Sequence, residues 1–113
     1  MKKVEAIIRE ETFGRIKAAL EEAGYISMTI CHVMGRGKQK GLSMPWGRNA
    51  KNRVEFLPKI KVDLVVEDKD LDIVLDIICD NGSTGSIGDG KIFVMPVAEV
   101  IRVRNGDRGA LAV

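Results

Sequence analysis

The residues best suited to chemistry lie in one glycine-rich stretch, Thr84-Gly85-Ser86-Ile87-Gly88-Asp89-Gly90-Lys91. Gly85 and Gly90-Lys91 stand at the spacing of a phosphate-binding P-loop, yet Ile92 occupies the position where Mg²⁺ binding needs Ser or Thr. The stretch also joins a predicted helix to a predicted strand, the reverse of the order a P-loop requires. What survives is weaker: glycines let backbone N–H groups approach phosphate oxygens, and Lys91 adds a point charge. Taken alone, the same stretch reads rather as a helix stop and hairpin entry. Two further cationic groups add weight to the anion-binding reading. Arg102 and Arg104, two apart, fall on one face of a short predicted strand at Val100 to Val103. Gly37-Lys38-Gln39-Lys40-Gly41 opens a long loop that Lys59 and Lys61 close. Three glycine and cation groups on one small chain point to a polyphosphate site.

Catalytic constellations are missing from the sequence. His32, the single histidine, sits inside a predicted strand, where a structural role is expected. There is no GxSxG, no HExxH and no Cys/His cluster, so the chain is not expected to be an enzyme. A slow ATPase is disfavoured because no general base is evident. Asp68, Asp70, Asp72 and Asp76 gather around a predicted helix start and suit its dipole and a solvated face. With aromatic residues at 4% and no basic helix face, nucleic-acid binding is not expected. The rival reading is a ferredoxin-like RNA- or metal-binding module that never meets a nucleotide.

The elements that must position these groups follow from periodicity. Val4, Ala6 and Ile8 alternate in a strand over Lys3 to Arg9. Phe13, Ile16, Leu20 and Ala23 recur at helical spacing, with Thr12 as the expected N-cap and Gly24 as the stop. Ile26 to Met34 reads as a strand, and Phe56 to Val66 as another with Ile60, Val62, Leu64 and Val66 on one face. Asp68 is the expected cap of a helix burying Leu71, Val74, Leu75 and Ile78. Ile92 to Val97 forms a further strand, and Arg104 to Val113 carries no clear element. The order β-α-β-loop-β-α-β is that of an α+β, ferredoxin-like sandwich with two helices on one face of an antiparallel sheet. Because Ile92 to Val97 is apolar on both sides, the face away from the helices needs a cover, and another copy of the chain is the expected one.

Length and composition set the frame. The 113 residues, 45% apolar and 30% charged with a net charge of +2, fit a single globular domain spanning 1–113. Neither a secretory signal nor a bilayer-spanning run is expected. Cys31 and Cys79 lack CxxC spacing and read as structural thiols in a reducing, cytoplasmic setting. The loop over residues 36–55 is long for a small domain, and such loops are usually functional or disordered. It concentrates Arg36, Lys38, Lys40, Arg48, Lys51 and Arg53 against Glu55, with Trp46 beside Pro45. It reads either as a solvated charged loop or as an anion-binding root with a partner-reading tip.

Thr84 through Val97 (TGSIGDGKIFVMPV), Gly35 through Gly41 (GRGKQKG), Phe56-Leu57-Pro58-Lys59, the opening Lys2 to Ile8 and Met28-Thr29 together resemble the PII nitrogen-regulatory signal proteins of the GlnB/GlnK type. The resemblance runs over essentially the whole chain. It implies a homotrimer that binds ATP or ADP in clefts between subunits, with a T-loop at about 36–55, a phosphate-holding B-loop at 82–91 and a C-terminal segment at 102–113. The nucleotide site it implies comprises Ile7, Thr29, Gly35, Gly37, Lys38, Val65, Thr84, Gly88, Asp89, Gly90, Lys91, Arg102 and Arg104. Of these, Thr29 would bond the adenine, and Ile7, Gly35 and Val65 would pack near it. A second ligand, 2-oxoglutarate, would meet Gln39, Lys40, Gly41 and Lys59, and Mg²⁺ would be held by Gln39 with the ATP phosphates. Hard cations accept amide and phosphate oxygens, and a dianion needs a cation and backbone donors. Ligand binding at the loop's two roots would then order or release it.

The loop tip departs from the family's pattern. Met44-Pro45-Trp46-Gly47-Arg48 replaces the YRGxxY stretch of many bacterial members, and the single tyrosine is Tyr25. Tyrosyl uridylylation or adenylylation of the loop is therefore not expected, and control falls to ligands. Trp46 and Arg48 are the expected partner-reading residues. The target implied is nitrogenase, regulated directly as in the nitrogenase-associated branch of the family, or an ammonium transporter whose channel Arg48 would enter. Members of that branch act as pairs of paralogues, which makes a hetero-oligomer an alternative to the homotrimer.

Overall fold

The first strand, β1 (Lys2–Arg9), places Val4, Ala6 and Ile8 on one side, all essentially inaccessible to solvent. The structure, a computed structural model, describes residues 1–37 and 56–113. After β1 the chain turns directly into α1 (Glu10–Glu22), which buries Thr12, Ile16 and Leu20. Arg9 is its N-cap. Thr12, expected in that role, lies one turn inside, and its hydroxyl donates back to the Arg9 carbonyl at 3.1 Å. Gly24, at φ 95°, ends the helix as anticipated, because this left-handed backbone costs glycine nothing.

Strand β2 (Thr29–Gly35) leads to residues 36–56 and then to β3 (Leu57–Val66), the longest strand. A 3₁₀ turn at Asp68–Asp70 precedes α2 (Leu71–Gly82). Asp68 does not cap this helix with its side chain; its carboxylate faces the Met1 amino group at 3.0 Å and Lys2 at 3.9 Å. The α2 stripe is as expected: Val74 and Ile78 are buried, and Leu71 and Leu75 pack against the core. Strand β4 (Gly90–Pro96) follows. The short strand expected at Val100 to Val103 is not formed. An isolated bridge, Ile101 to Arg108, closes a tight hairpin there instead, and the tail ends in a 3₁₀ turn at Gly109–Ala112.

The sheet order is β2-β3-β1-β4 and every pairing is antiparallel, so the fold is the α+β ferredoxin-like sandwich. Both helices lie on the face formed by Val4, Ala6, Ile8, Ile60, Val62, Leu64 and Val66, where they complete the core with Ile16, Leu20, Val74 and Ile78. Burying each such aliphatic side chain contributes roughly 1.5–3 kcal/mol.

The opposite face carries no described element. Residues opposed across antiparallel strands share a face, which gives the rows Cys31, Lys61, Ile7 and Lys91; then Thr29, Asp63, Glu5 and Phe93; then Val65, Lys3 and Met95; and, on the other side of the first, Val33, Lys59 and Arg9, then Gly35 and Leu57. Phe93 is 47% and Met95 36% exposed. Asp63 Oδ1 is buried on this face with no hydrogen-bond partner, an uncommon condition for a carboxylate oxygen. Cys31 and Cys79, expected as structural thiols, are both exposed, and His32 lies exposed on the edge strand β2. No helix among the described residues is long and apolar enough to cross a membrane.

Candidate functional site

The turn between α2 and β4 is built from the inside by one carboxylate. Asp89 accepts hydrogen bonds from the Thr84 amide at 2.7 Å, the Gly85 amide at 3.0 Å and the Thr84 hydroxyl. It also receives Arg9 Nε at 3.0 Å from the far end of β1. These donors, the Thr84 hydroxyl foremost, hold its carboxyl well below the usual carboxylate range.

Two cations then clamp the turn from below. Arg9 Nη2 donates to the Ile87 carbonyl at 2.8 Å, and Lys59 Nζ donates to the Gly88 carbonyl at 2.6 Å. Lys59 is only 6% exposed. Burial, with the Arg9 charge nearby, pulls its pKa below the ordinary lysine value, while Glu11 and Asp89 act in the other sense. The register places these two cations side by side, since Arg9 on β1 opposes Lys59 on β3.

Gly90 closes the arrangement. Its φ is +112°, and a Cβ built on it would lie 1.8 Å from the Ile7 carbonyl oxygen. The start of β4 thus rests directly on β1, a contact that only glycine allows. Gly85, at φ 81°, and Gly88, at φ 103°, supply the other left-handed positions of the turn.

Against this turn, on the open face, lies a cavity of about 470 Å³ lined by Ile7, Gly35, Gly37, Lys59, Gly88, Gly90 and Lys91, together with Arg36, Ile87 and Phe93. Residues from four separate stretches of sequence therefore meet in one concave surface. Among the described residues no carboxylate lines it, while Arg36, Lys59 and Lys91 do. A space of this size with glycine-exposed backbone and three cations suits an anionic ligand with an apolar portion resting on Ile7 and Phe93.

Several residues expected at the site are placed elsewhere within the chain. Asp89 and Thr84 are engaged with each other inside the turn and do not line the cavity. Thr29 and Val65 lie on the open face, in the second and third rows, away from the cavity lining. Arg102 and Arg104 follow the far end of β4, which at about 3.3 Å per residue lies some 20 Å from Gly90. Lys38, Gln39, Lys40, Gly41, Trp46 and Arg48 lie outside the described residues.

Arg9 escaped the sequence reading, and Arg36 entered it only as one of the loop's cations. Arg9 is the residue on β1 directly opposite Lys59, a relation visible only once the register is known. Arg36 stands between Gly35 and Gly37, where its guanidinium lies 5.6 Å from the centre of the Phe56 ring, joining the two strand ends that frame residues 38–55.

Residues 1–107 match the family model described as nitrogen regulatory protein P-II. The chain is 49% identical over 113 residues to a nitrogen regulatory protein P-II of Microchaete diplosiphon, with all of both chains covered. It is 46% identical to nitrogen regulatory protein P-II 2 of Methanothermobacter thermautotrophicus, covering 100% of this chain and 97% of that one. Among solved structures, PII of Arabidopsis thaliana bound to citrate superposes with a TM-score of 0.80 at 38% identity, covering 99% of this chain and 91% of that one.

Proposed function

The chain belongs to the nitrogen regulatory protein P-II family, and on that footing we propose that it senses ATP or ADP together with 2-oxoglutarate and controls a target protein through the loop between β2 and β3. The observation that carries this reading is the cavity in which Gly37, Gly88 and Gly90 expose backbone beside Lys59 and Lys91. Phosphates fit the glycine-lined edge and Lys91, and the nucleoside fits against Ile7 and Gly35. Lys59, at the cavity wall with its ammonium on the Gly88 carbonyl, would turn to meet a carboxylate of 2-oxoglutarate, and the Arabidopsis relative is bound to citrate, a carboxylate ligand. Gln39 would hold a Mg²⁺ ion accompanying the nucleotide, which would supply positive charge to the phosphates.

One chain supplies only part of this site. Arg102, Arg104, Thr29 and Val65 join it if a second copy sets its C-terminal segment and the far rows of its sheet against the cavity of the first. A homotrimer closed through the open faces does this and covers Phe93 and Met95. It also brings donors toward the orphaned Asp63 oxygen. The protein acts as a binding sensor and not as a catalyst, and its proposed target is nitrogenase or an ammonium transporter, read by Trp46 and Arg48 at the loop tip.

Calorimetry tests the site. The wild-type assembly should bind ATP in the micromolar range, about −8 kcal/mol. Lys91→Ala combined with Arg104→Ala should abolish binding while the assembly persists in light scattering. Unchanged affinity in that double variant refutes the site. Pull-downs with and without ATP plus 2-oxoglutarate identify the target, and capture that ignores both ligands refutes the sensing role.

A further inference from the structure

The C-terminal hairpin is wired more densely than its exposure requires. Arg102 Nη1 donates to Asp107 Oδ2 at 2.9 Å, and Nη2 donates to the Leu111 carbonyl at 2.7 Å. The backbone closes around the same pair: the Arg102 amide donates to the Asp107 carbonyl, and the Gly106 amide to the Arg102 carbonyl, both at 2.8 Å. Asn105 adds a bond to the same Asp107 oxygen at 3.1 Å, and its own oxygen accepts the Asp107 amide at 3.0 Å. Farther down, Glu99 receives the Gly109 amide at 3.1 Å. The result is a turn whose tip holds Val103 and Arg104 outward, Val103 fully exposed. Nothing in this wiring engages the Arg104 side chain.

We propose that Asp107 is a positioning residue that orients Arg102 and closes the hairpin presenting Arg104, so that both guanidiniums reach a polyphosphate already arranged. The inference rests on the nucleotide-sensing reading and deepens it. A long flexible side chain loses rotamer freedom on meeting a ligand, and fixing it beforehand removes that cost from binding. Arg102 retains N–H groups beyond the two spent on Asp107 and Leu111, since a guanidinium offers five. Asp107 therefore fixes the direction of this fork without exhausting its donors.

The test is a double-mutant cycle on ATP binding to the assembled protein, using Asp107→Asn, Arg102→Ala and both together, with amide hydrogen exchange over residues 99–113. Asp107→Asn should weaken ATP binding by roughly three- to tenfold and speed exchange of the Arg102 and Gly106 amides. In the Arg102→Ala background the same change should cost little further, because Asp107 acts largely through that side chain. Arg104→Ala should weaken binding without altering exchange in the hairpin. Tighter ATP binding by Asp107→Asn would mean that Asp107 competes with the phosphates, and overturns the proposal, as does unchanged binding. An equal loss in both backgrounds overturns it as well. A wild-type protein that binds no ATP defeats the sensing reading itself, and this inference with it.

Discussion

Arg9 and Asp89, eighty residues apart, meet at 3.0 Å where β1 ends and the turn before β4 begins. Asp89 gathers the Thr84 hydroxyl and the Thr84 and Gly85 amides on the same carboxylate, so a single side chain sets the shape of the turn. Its folded pKa is depressed. A depressed carboxylate contributes stability above its unfolded pKa and loses it as pH falls through the folded value. Acid should therefore leave the turn intact through the ordinary carboxylate range and open it only below that. Following the Thr84 and Gly85 amide resonances by NMR against pH checks this. Asp89→Asn should abolish the low-pH step, and a midpoint near the ordinary aspartate value in the wild type contradicts the assignment.

Gly90 offers the sharpest steric prediction. A methyl group there meets the Ile7 carbonyl oxygen at an impossible distance on a left-handed backbone. Strain and overpacking together predict a loss on the order of 3 kcal/mol for Gly90→Ala. Urea unfolding measures it, and a loss below about 1 kcal/mol shows that β4 can lift away from β1.

Lys59, like Asp89, has a folded pKa below its ordinary value, but its window lies in the alkaline range. Its folded pKa lies below the unfolded one, so the unfolded chain binds more protons at alkaline pH. Stability contributed by this group should rise as pH climbs from the folded pKa toward the ordinary lysine value. Lys59→Met should flatten that rise in denaturation curves taken across the alkaline range. The same variant should lose 2-oxoglutarate affinity at least tenfold while retaining ATP binding. Intact 2-oxoglutarate binding removes Lys59 from the proposed dicarboxylate site.

The open face should be an assembly surface. Phe93 and Met95 lie on it in consecutive rows beside Glu5 and Lys3. Phe93→Asp should shift the protein to monomers in sedimentation velocity and reduce ATP affinity in parallel. A variant that stays trimeric with full affinity places the interface elsewhere.

The β1, β3 and β4 strands and the buried α2 stripe were readable because alternation and helical spacing are local signals. So was the turn at 84–91, from its glycines. The misplacements all involve partners remote in sequence or a side chain choosing a different backbone group. Thr12 satisfies the carbonyl of Arg9 in place of the amides of its own helix. Asp68 turns to Met1 and Lys2, which only the folded sheet brings near. Val100 to Val103 has strand composition, but Arg102 folds the segment onto Asp107. Asp89 entered the site reading only through the family resemblance, which does not foretell its partners within the turn. The structure spends it on Thr84 and Arg9. Arg9 itself carried no motif, and its part in the site follows from lying opposite Lys59.

Strand β4 begins at Gly90 and runs to Pro96, so Lys91 stands at its start while the two C-terminal arginines follow its end. Under the proposed arrangement an isolated subunit would own two separate half-sites, each completed by a neighbour. Occupancy and association would then be thermodynamically coupled: each bound molecule tightens the ring, and dilution below the association threshold blinds the sensor before any side chain is altered.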